Sequence, residues 1–267
     1  MRPLWKGAIS FGLVNIPIRL YAATERRDPR FHYLHGECGS PIRYVKWCPY
    51  CKREVPAEEV VWGYEYERDK YVLFTDEELE ALQAVPQKTI AIEDFIDMRE
   101  VDPIFFDRAY FLEPVEGGAR AYALLRRAMD ESGRVAVARV AIRSKETLAT
   151  VRTYGARALV METMFWPDEV RPGESLAIPF GDEPEDREVQ MATTLVNMLS
   201  SPFEPSKYRS DRRERLTRAI SAKVEGRGVE AIRAPGVEGI ADLAEALRHS
   251  IEAAQRRRTG GAAGPVQ

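Results

Sequence analysis

The first 25 residues constrain the fold most, because the run LWKGAISFGLVNIPIRLYAATE alternates apolar and polar positions around two glycines. Apolar residues at a period of two, interrupted by glycine, predict β-strands. Gly12 predicts a bend or a close backbone approach, since a strand interior gains nothing from glycine. Pro17 precedes a second short strand, Ile18 to Tyr21. The run predicts a strand pair that begins a barrel or curved sheet, although the core hairpin of any small β domain shares this pattern.

Further segments with strand periodicity follow, at Val72–Phe74, Thr89–Ile96, Ile104–Leu112, Val135–Ile142, Thr147–Thr153 and Ala158–Met164. The last three are joined by short links, which favours antiparallel pairing. Thr75 and Glu78 form a capping-box pattern that predicts a short helix. A second helix is predicted after Gly117-Gly118. Because closure removes exposed strand edges, we predict an α+β, mainly β fold with an antiparallel β-barrel core of about seven strands.

The periodicity changes to about three and a half beyond an acidic, Pro- and Gly-rich loop at residues 167–186. Three amphipathic helices are predicted there, with apolar faces at Val189, Ala192, Val196 and Leu199, then Tyr208, Leu216, Ile220 and Val224, then Ile240, Leu243, Leu247, Ile251 and Ala254. We therefore divide the chain into a barrel core (1–185), a helical arm (186–225), a C-terminal helical segment (226–255) and a disordered basic tail (256–267). No internal repeat is evident.

Composition favours a globular protein of the cytoplasm. The chain is 45% hydrophobic and 30% charged, and no apolar run approaches the length that spans a bilayer. The N-terminal residues lack the apolar region of a signal peptide, so we expect no membrane association. Only three cysteines are present, which argues against a disulfide framework.

The distribution of charge is more informative than the net charge of -3. Residues 1–60 carry ten Lys/Arg against six Asp/Glu, and residues 205–267 carry thirteen against eight. The middle of the chain is acidic, with sixteen against twenty-eight. Basic ends on an acidic body permit a local positive surface, because only charges within about 8 Å act on a docked phosphate at physiological salt.

The strongest local motif is HGECGSPIRYVKWCPYC, which places His35 and Cys38 at H-x-x-C spacing and Cys48 and Cys51 at C-x-x-C spacing. Four N/S ligands suit a closed structural zinc site. We predict a small zinc ribbon that binds Zn²⁺, with a hairpin at Ile42–Trp47 between the two motifs. His32 is the alternative nitrogen ligand. The competing interpretation is a buried Cys38 beside an unliganded C-x-x-C pair.

Basic residues concentrate in two places. One is the cysteine segment, where they interleave with Tyr44 and Trp47, and the other is the three-strand meander; the residues are Arg43, Lys46, Lys52, Arg53, Arg139, Arg143, Lys145 and Arg152. Such patches can neutralise phosphates without reading bases. A solvated strand face explains the meander residues equally well.

Motifs of catalysis are missing from the sequence. It contains no G-x-x-x-x-G-K-[ST], G-x-G-x-x-G, H-E-x-x-H or G-x-S-x-G pattern. His249 falls on the polar side of an amphipathic helix. We therefore assign no catalytic residue and expect a protein that is not an enzyme.

The amino-acid sequence of several stretches resembles that of the prokaryotic Ku proteins, the DNA-end-binding clamps of non-homologous end joining. The stretches are WKGAISFGLVNIPIRLY, EYERDKYVLFTDEELEAL, IEDFIDMREVDPIFFDRAYFLEP, RVAIRSKETLATVR, LVMETMFWPDEVR and FEPSKYRSDRRERL. They follow the family's order and cover most of the chain.

The resemblance implies a ring-shaped homodimer through which duplex DNA threads from a free end, without sequence preference and without hydrolysis. The ring's bridge would fall at residues 29–59, and the arm at 186–225 would hold the dimer. The basic residues named above match bridge and barrel positions that face DNA. Residues 226–255 would recruit the ATP-dependent end-joining ligase and its polymerase domain. The tail at Arg256–Arg258 is short for the family. The resemblance also implies a place in DNA repair and recombination at the nucleoid.

Overall fold

The structure, a computed structural model, describes residues 1–82, 88–142, 145–178, 183–228 and 243–260. Within them the strands are β1 (Trp5–Phe11), β2 (Val14–Ala22), β3 (Trp47–Cys48), β4 (Arg53–Glu54), β5 (Trp62–Glu67), β6 (Lys70–Phe74), β7 (Thr89–Ile96), β8 (Phe106–Pro114), β9 (Val135–Ile142), β10 (Lys145–Tyr154) and β11 (Ala158–Met164). The helices are α1 (Asp76–Ala81), α2 (Ala119–Ser132), α3 (Asp186–Leu199), α4 (Asp211–Val224) and α5 (Leu243–Gly260).

Seven of these strands close into a barrel, in the order β1-β2-β8-β11-β10-β9-β7. The opening run forms its first hairpin, β1 with β2, in a register that pairs Ile9 with Ile16. Gly12 lies in the turn with φ +57°, a left-handed conformation that glycine adopts without strain. The predicted closed barrel is therefore confirmed.

The prediction that the barrel is wholly antiparallel is wrong, because β1 runs parallel to β7, with Ile9 opposite Ile90. Strand count explains the exception. Neighbours that alternate in direction can close a ring only when their number is even, so a seven-strand barrel needs at least one parallel pair. The long excursion between β2 and β7 supplies the crossover that a parallel pair requires.

The barrel interior is the hydrophobic core. Bulky side chains from the first hairpin meet small ones from β9 and β10; they include Ile9, Ile16, Ile18, Leu20, Ala136, Ala138, Val140, Ala149 and Val151. Helix α2 adds three buried side chains to this core, Tyr122, Leu125 and Met129. Burying a side chain such as Leu125 contributes about 1.5–3 kcal/mol, so α2 is an integral part of the barrel domain.

One buried tyrosine joins α2 to two barrel strands. The hydroxyl of Tyr122 donates to the carbonyl oxygen of Leu112 at 2.7 Å and accepts from the amide of Leu159 at 2.6 Å. Burial raises the pKa of this phenol. Both hydrogen-bonding roles of the buried hydroxyl are thereby satisfied, which removes the cost of burying a polar group.

The helices beyond the barrel form a second compact unit. Within it α3 packs against α5, with Met191, Leu195 and Met198 half-buried on α3 and Ala254 buried on α5. Helix α5 continues to Gly260, into the stretch that the sequence pattern placed in a disordered tail. Residues 261–267 lie outside the described residues. No helix among the described residues is both long enough and apolar enough to cross a membrane.

Candidate nucleic-acid interface

The first of the two cysteine motifs lies on a tight turn, residues 35–39, which we name the first knuckle. The amide of Gly39 donates to the carbonyl oxygen of His35 at 2.8 Å, and Gly39 has φ +68°. The turn brings Nδ1 of His35 to 3.2 Å from Sγ of Cys38. Hydrogen bonds from the side chain and amide of Ser40, then from His35, lower the pKa of the Cys38 thiol to about 7.

The second cysteine motif forms a similar turn at residues 48–52, which we name the second knuckle. The amide of Cys51 donates to Sγ of Cys48 at 3.4 Å. Amide donors, with that of Cys51 first, lower the pKa of the Cys48 thiol. The neighbouring Cys48 in turn raises the pKa of Cys51. A single thiolate, on Cys48, is thus favoured in the second knuckle, because a second negative charge on Cys51 would be repelled.

The knuckles place four potential ligands in two separate pairs. Across the residues that the structure describes, no three His, Cys, Asp or Glu side chains come together as a metal site would require. The hairpin expected at Ile42–Trp47 is also not formed. The β pairings instead flank the turn of each knuckle, between Leu34 and Pro41 and between β3 and β4. All three cysteines are free thiols.

Three of the four predicted bridge cations are exposed, and none of these three forms an ion pair within the described ranges: Arg43, Lys46 and Lys52. They alternate with the exposed aromatic side chains of Tyr44 and Trp47. The fourth cation, Arg53, pairs with Glu59 at 2.5 Å. Residues 43–52 therefore expose three cations without an ion-pair partner among the described residues, beside the aromatic side chains of Tyr44 and Trp47.

The barrel cations have carboxylate partners. Arg139 lies 2.9 Å from Glu93 on β7 and 3.7 Å from Glu146 on β10, and Lys145 lies 3.7 Å from Glu169. Arg143 falls outside the described residues. An incoming phosphate would therefore compete with these carboxylates for Arg139 and Lys145.

Arg152 has the most complete internal partner of the predicted cations. Its guanidinium donates to both carboxylate oxygens of Glu162, at 2.9 and 2.6 Å, and lies over the ring of Tyr154 at 5.9 Å. The hydrogen bond that Arg152 donates to Glu162 raises the pKa of the guanidinium. Sequence reasoning missed this partner, because cross-strand register between β10 and β11 is not local information.

Helix α4 carries exposed arginines that the sequence alone did not assign to a site. Arg212, Arg215 and Arg218 recur every third residue, and no ion pair to them is formed within the described part of the chain. Arg213 differs, since it pairs with Asp28 at 3.2 Å. The three-residue spacing of these arginines was the sequence feature that could have predicted an exposed basic face on α4.

Comparison with known proteins identifies the family. The family described as "Ku70/Ku80 beta-barrel domain" matches residues 10–193. This chain belongs to the Ku family. The matched residues include every barrel strand from β2 onward, both knuckles and the first half of α3.

Several bacterial relatives carry the name "Non-homologous end joining protein Ku". The protein of Heliobacterium modesticaldum is 50% identical over 258 residues, which cover 94% of this chain and 92% of the relative. That of Symbiobacterium thermophilum is 48% identical over 97% of this chain, and that of Bacillus subtilis is 43% identical over the whole of this chain. The chain spans 64% of the Symbiobacterium protein and 87% of the Bacillus protein.

Two surfaces of this Ku-family chain expose more apolar area than a solvated surface usually does. The hairpin of β5 and β6 exposes large side chains on both faces: Trp62, Tyr64, Tyr66, Tyr71, Val72 and Leu73. On one face of α3, Val189, Val196 and Leu199 are exposed by 47%, 63% and 62%. Contiguous exposed apolar surface of this kind marks an interaction site.

Proposed function

We propose that this protein binds double-stranded DNA ends without sequence specificity, as a homodimeric ring, in double-strand break repair by non-homologous end joining. The observation that carries the proposal is the set of exposed cations Arg43, Lys46 and Lys52, which form no ion pair among the described residues of this Ku-family chain. Long cationic side chains attract phosphates but carry no base-reading geometry. The proposed action needs no catalysis, and its place is the cytoplasm, at the nucleoid.

The exposed apolar surfaces support a second copy of the chain as the partner. An isolated two-stranded hairpin is marginal in water, and the β5–β6 hairpin has no buried residue on either face. The outward face of α3 is left open although its other side packs against α5. A twin subunit that exchanges these elements would cover both surfaces by the same contacts, since a two-fold interface is self-complementary.

A ring explains why an end is required. A closed ring cannot load on an uninterrupted duplex, whereas a chain that binds phosphate through an open surface binds linear and circular DNA equally. A mobility-shift assay with one duplex in linear and covalently closed circular form distinguishes the two. The ring predicts binding to the linear form only. Equal binding to both forms would refute it.

We also propose that residues 226–255 recruit the ATP-dependent end-joining ligase with its polymerase domain. The resemblance to bacterial Ku sequences supports this, and α5 offers the exposed polar side chains of Arg248 and His249 for the contact. Deleting residues 226–255 should abolish stimulation of end ligation while DNA-end binding persists. Full stimulation by the deleted protein would contradict the assignment.

The alternative is a zinc-ribbon scaffold protein that binds a protein partner through its basic arm. It is not favoured, because the family match covers residues 10–193, which include the barrel strands from β2 onward and the segment at 29–59. The mobility-shift assay also decides this question. A scaffold would bind neither form of the duplex.

A further inference from the structure

Helix α2 borders an open apolar groove where β1 and β7 end, which we name the α2 groove. Its volume is about 550 Å³, which is in the range of sites that bind ligands. One wall is α2, and the other contains the rings of Phe11 at the end of β1 and Phe95 near the end of β7. All of these residues belong to the compact unit that contains the barrel, so the groove is complete without the helical arm.

Two neighbouring stripes on α2 explain the shape of the groove. Leu125 and Met129 pack into the barrel core and form its floor. Leu124, Ala128 and Ser132 follow each other at a spacing of four residues, which places them together on the side of the helix that borders the groove. This second stripe is about 12 Å long, at a rise of 1.5 Å per residue. The groove therefore has the length of a short peptide segment.

The rim of the groove leaves large apolar side chains in solvent. Leu124 is 67% exposed and Phe95 is 45% exposed, and Leu13 in the turn after β1 is fully exposed. Exposed apolar surface of this kind marks an interaction site. Sites for small molecules enclose about 70–90% of their ligand, whereas an open groove with an apolar rim suits a partner that covers the rim as well. The shape therefore favours a segment of a protein.

The charges beside the groove favour an acidic segment. Among the described residues that line it, Arg134 alone is charged, and it forms no ion pair within the described ranges. Asp97 attracts Arg134 at longer range, but Arg99 already donates to both carboxylate oxygens of Asp97, at 3.1 and 2.7 Å. The carboxylate of Glu131 on α2 is likewise paired, with Arg127 at 2.6 Å. Arg134 is therefore available to a carboxylate from outside.

We propose that the α2 groove docks a short segment of a partner protein, in which a bulky apolar side chain lies within two positions of an aspartate or glutamate. The apolar side chain fills the groove over Leu125 and Met129, and the carboxylate pairs with Arg134. Charge complementarity selects this occupant over a purely apolar one, since a neutral segment would cover the Arg134 guanidinium without a partner. An apolar anchor beside one oriented charge pair is a common centre of such interfaces.

The inference does not rest on DNA-end binding. None of the residues that line the groove is one of the cations assigned to phosphate, and an apolar groove offers nothing to a phosphate backbone. Peptide binding is measured without DNA, so failure of either proposal leaves the other standing.

The test is a selection of displayed random 12-residue peptides on the full chain. Recovered peptides should share a bulky apolar residue with Asp or Glu within two positions. Their affinity, measured by fluorescence anisotropy, should fall about tenfold or more in L124E and in R134E. V224E on α4 and R157Q between β10 and β11 change an exposed valine and an exposed arginine outside the groove. These matched controls should stay within about twofold of the wild type.

A charge exchange shows whether the contact with Arg134 is direct. Replacing the acidic residue of a selected peptide by lysine should abolish binding to the wild type and restore binding to R134E, because only groups in contact couple in this way. Peptides that bind R134E as tightly as the wild type, or enriched peptides without an acidic residue, would contradict the proposal.

Sedimentation distinguishes a partner protein from a second copy of this chain. L124E should sediment as the wild type does, since Leu124 is already largely in solvent. A change in its oligomeric state would show that a second copy covers the groove, and would overturn the proposal. A selection that enriches no peptide, or peptides that bind L124E as tightly as the wild type, would overturn it as well.

Discussion

The guanidinium of Arg152 on β10 forms a two-pronged ion pair with the carboxylate of Glu162 on β11, at 2.9 and 2.6 Å. Both side chains are largely covered, with 29% and 15% of their surface exposed. The pair ties two barrel strands together in a region where sequence alone indicates a phosphate-binding cation. Its first role in the free protein is to stabilise the barrel.

Replacing Arg152 by Ala should lower the free energy of unfolding by about 1–3 kcal/mol, because Glu162 would keep its burial and lose its partner. R152K should recover only part of that loss, since lysine cannot make the two-pronged contact. Urea unfolding followed by circular dichroism measures the change. R43A, which removes an exposed cation without a partner, is the control, and an R152A protein as stable as R43A would contradict this assignment.

Replacing Arg43 and Lys46 together should weaken DNA binding and flatten its salt dependence. The slope of log affinity against log salt should fall by about one unit per lost phosphate contact. Titrations of a linear duplex at several salt concentrations measure it. K70A provides a control, because Lys70 is already paired with Glu67 at 2.7 Å. A slope that the double variant leaves unchanged would place the phosphate-binding surface elsewhere.

Freeing Arg139 from its carboxylate partner should strengthen DNA binding, if that arginine contacts phosphate. E93Q removes the closer of its two acidic partners, at 2.9 Å. Exposed pairs are worth about 0.2–1 kcal/mol, so we expect affinity to rise about 1.4- to 5-fold at low salt. E67Q, which frees a cation on the β5–β6 hairpin, is the control. Equal effects of the two variants would show a nonspecific change in net charge.

An acidic residue on the open face of α3 should disrupt the homodimer. V196D places a charge where a twin subunit is proposed to bury an apolar side chain, and unpaired buried charge is strongly unfavourable. Analytical ultracentrifugation should show the variant as a monomer at concentrations where the wild type is a dimer. N197D, on the polar side of the same helix, should remain dimeric. A dimeric V196D protein would exclude this face from the interface.

The alkylation rates of the Cys38 and Cys51 thiols should depend differently on pH. Because the thiolate is the nucleophile and hydrogen bonds lower the pKa of Cys38 to about 7, its alkylation rate should be half-maximal near pH 7 and should fall below that pH. Cys51, whose pKa is raised, should need more alkaline conditions. Peptide mass spectrometry after timed iodoacetamide treatment resolves the two sites. Identical profiles for Cys38 and Cys51 would contradict the hydrogen-bonding geometry of the first knuckle.

Much of the fold is readable from local sequence. The strand bounds Thr89–Ile96, Val135–Ile142 and Ala158–Met164 agree with the predicted ones, because alternation is a property of neighbouring residues. The capping box is confirmed as well, with Thr75 and Glu78 bonding each other's amides at 2.9 and 3.2 Å. The helix predicted after Gly117-Gly118 is α2, which ends at Ser132 because the next residue, Gly133, is left-handed.

The sequence by itself therefore determined the secondary-structure elements, the resemblance to the family and the residue types at each candidate site. Only the tertiary structure decided that β1 lies parallel to β7 and that Glu162 neutralises Arg152, whereas Arg43 forms no ion pair among the described residues. The physical reason is the separation along the sequence between the residues that interact. Periodicity, caps and turns depend on residues a few positions apart, whereas closure, cross-strand register and charge pairing depend on residues that only the folded chain brings together.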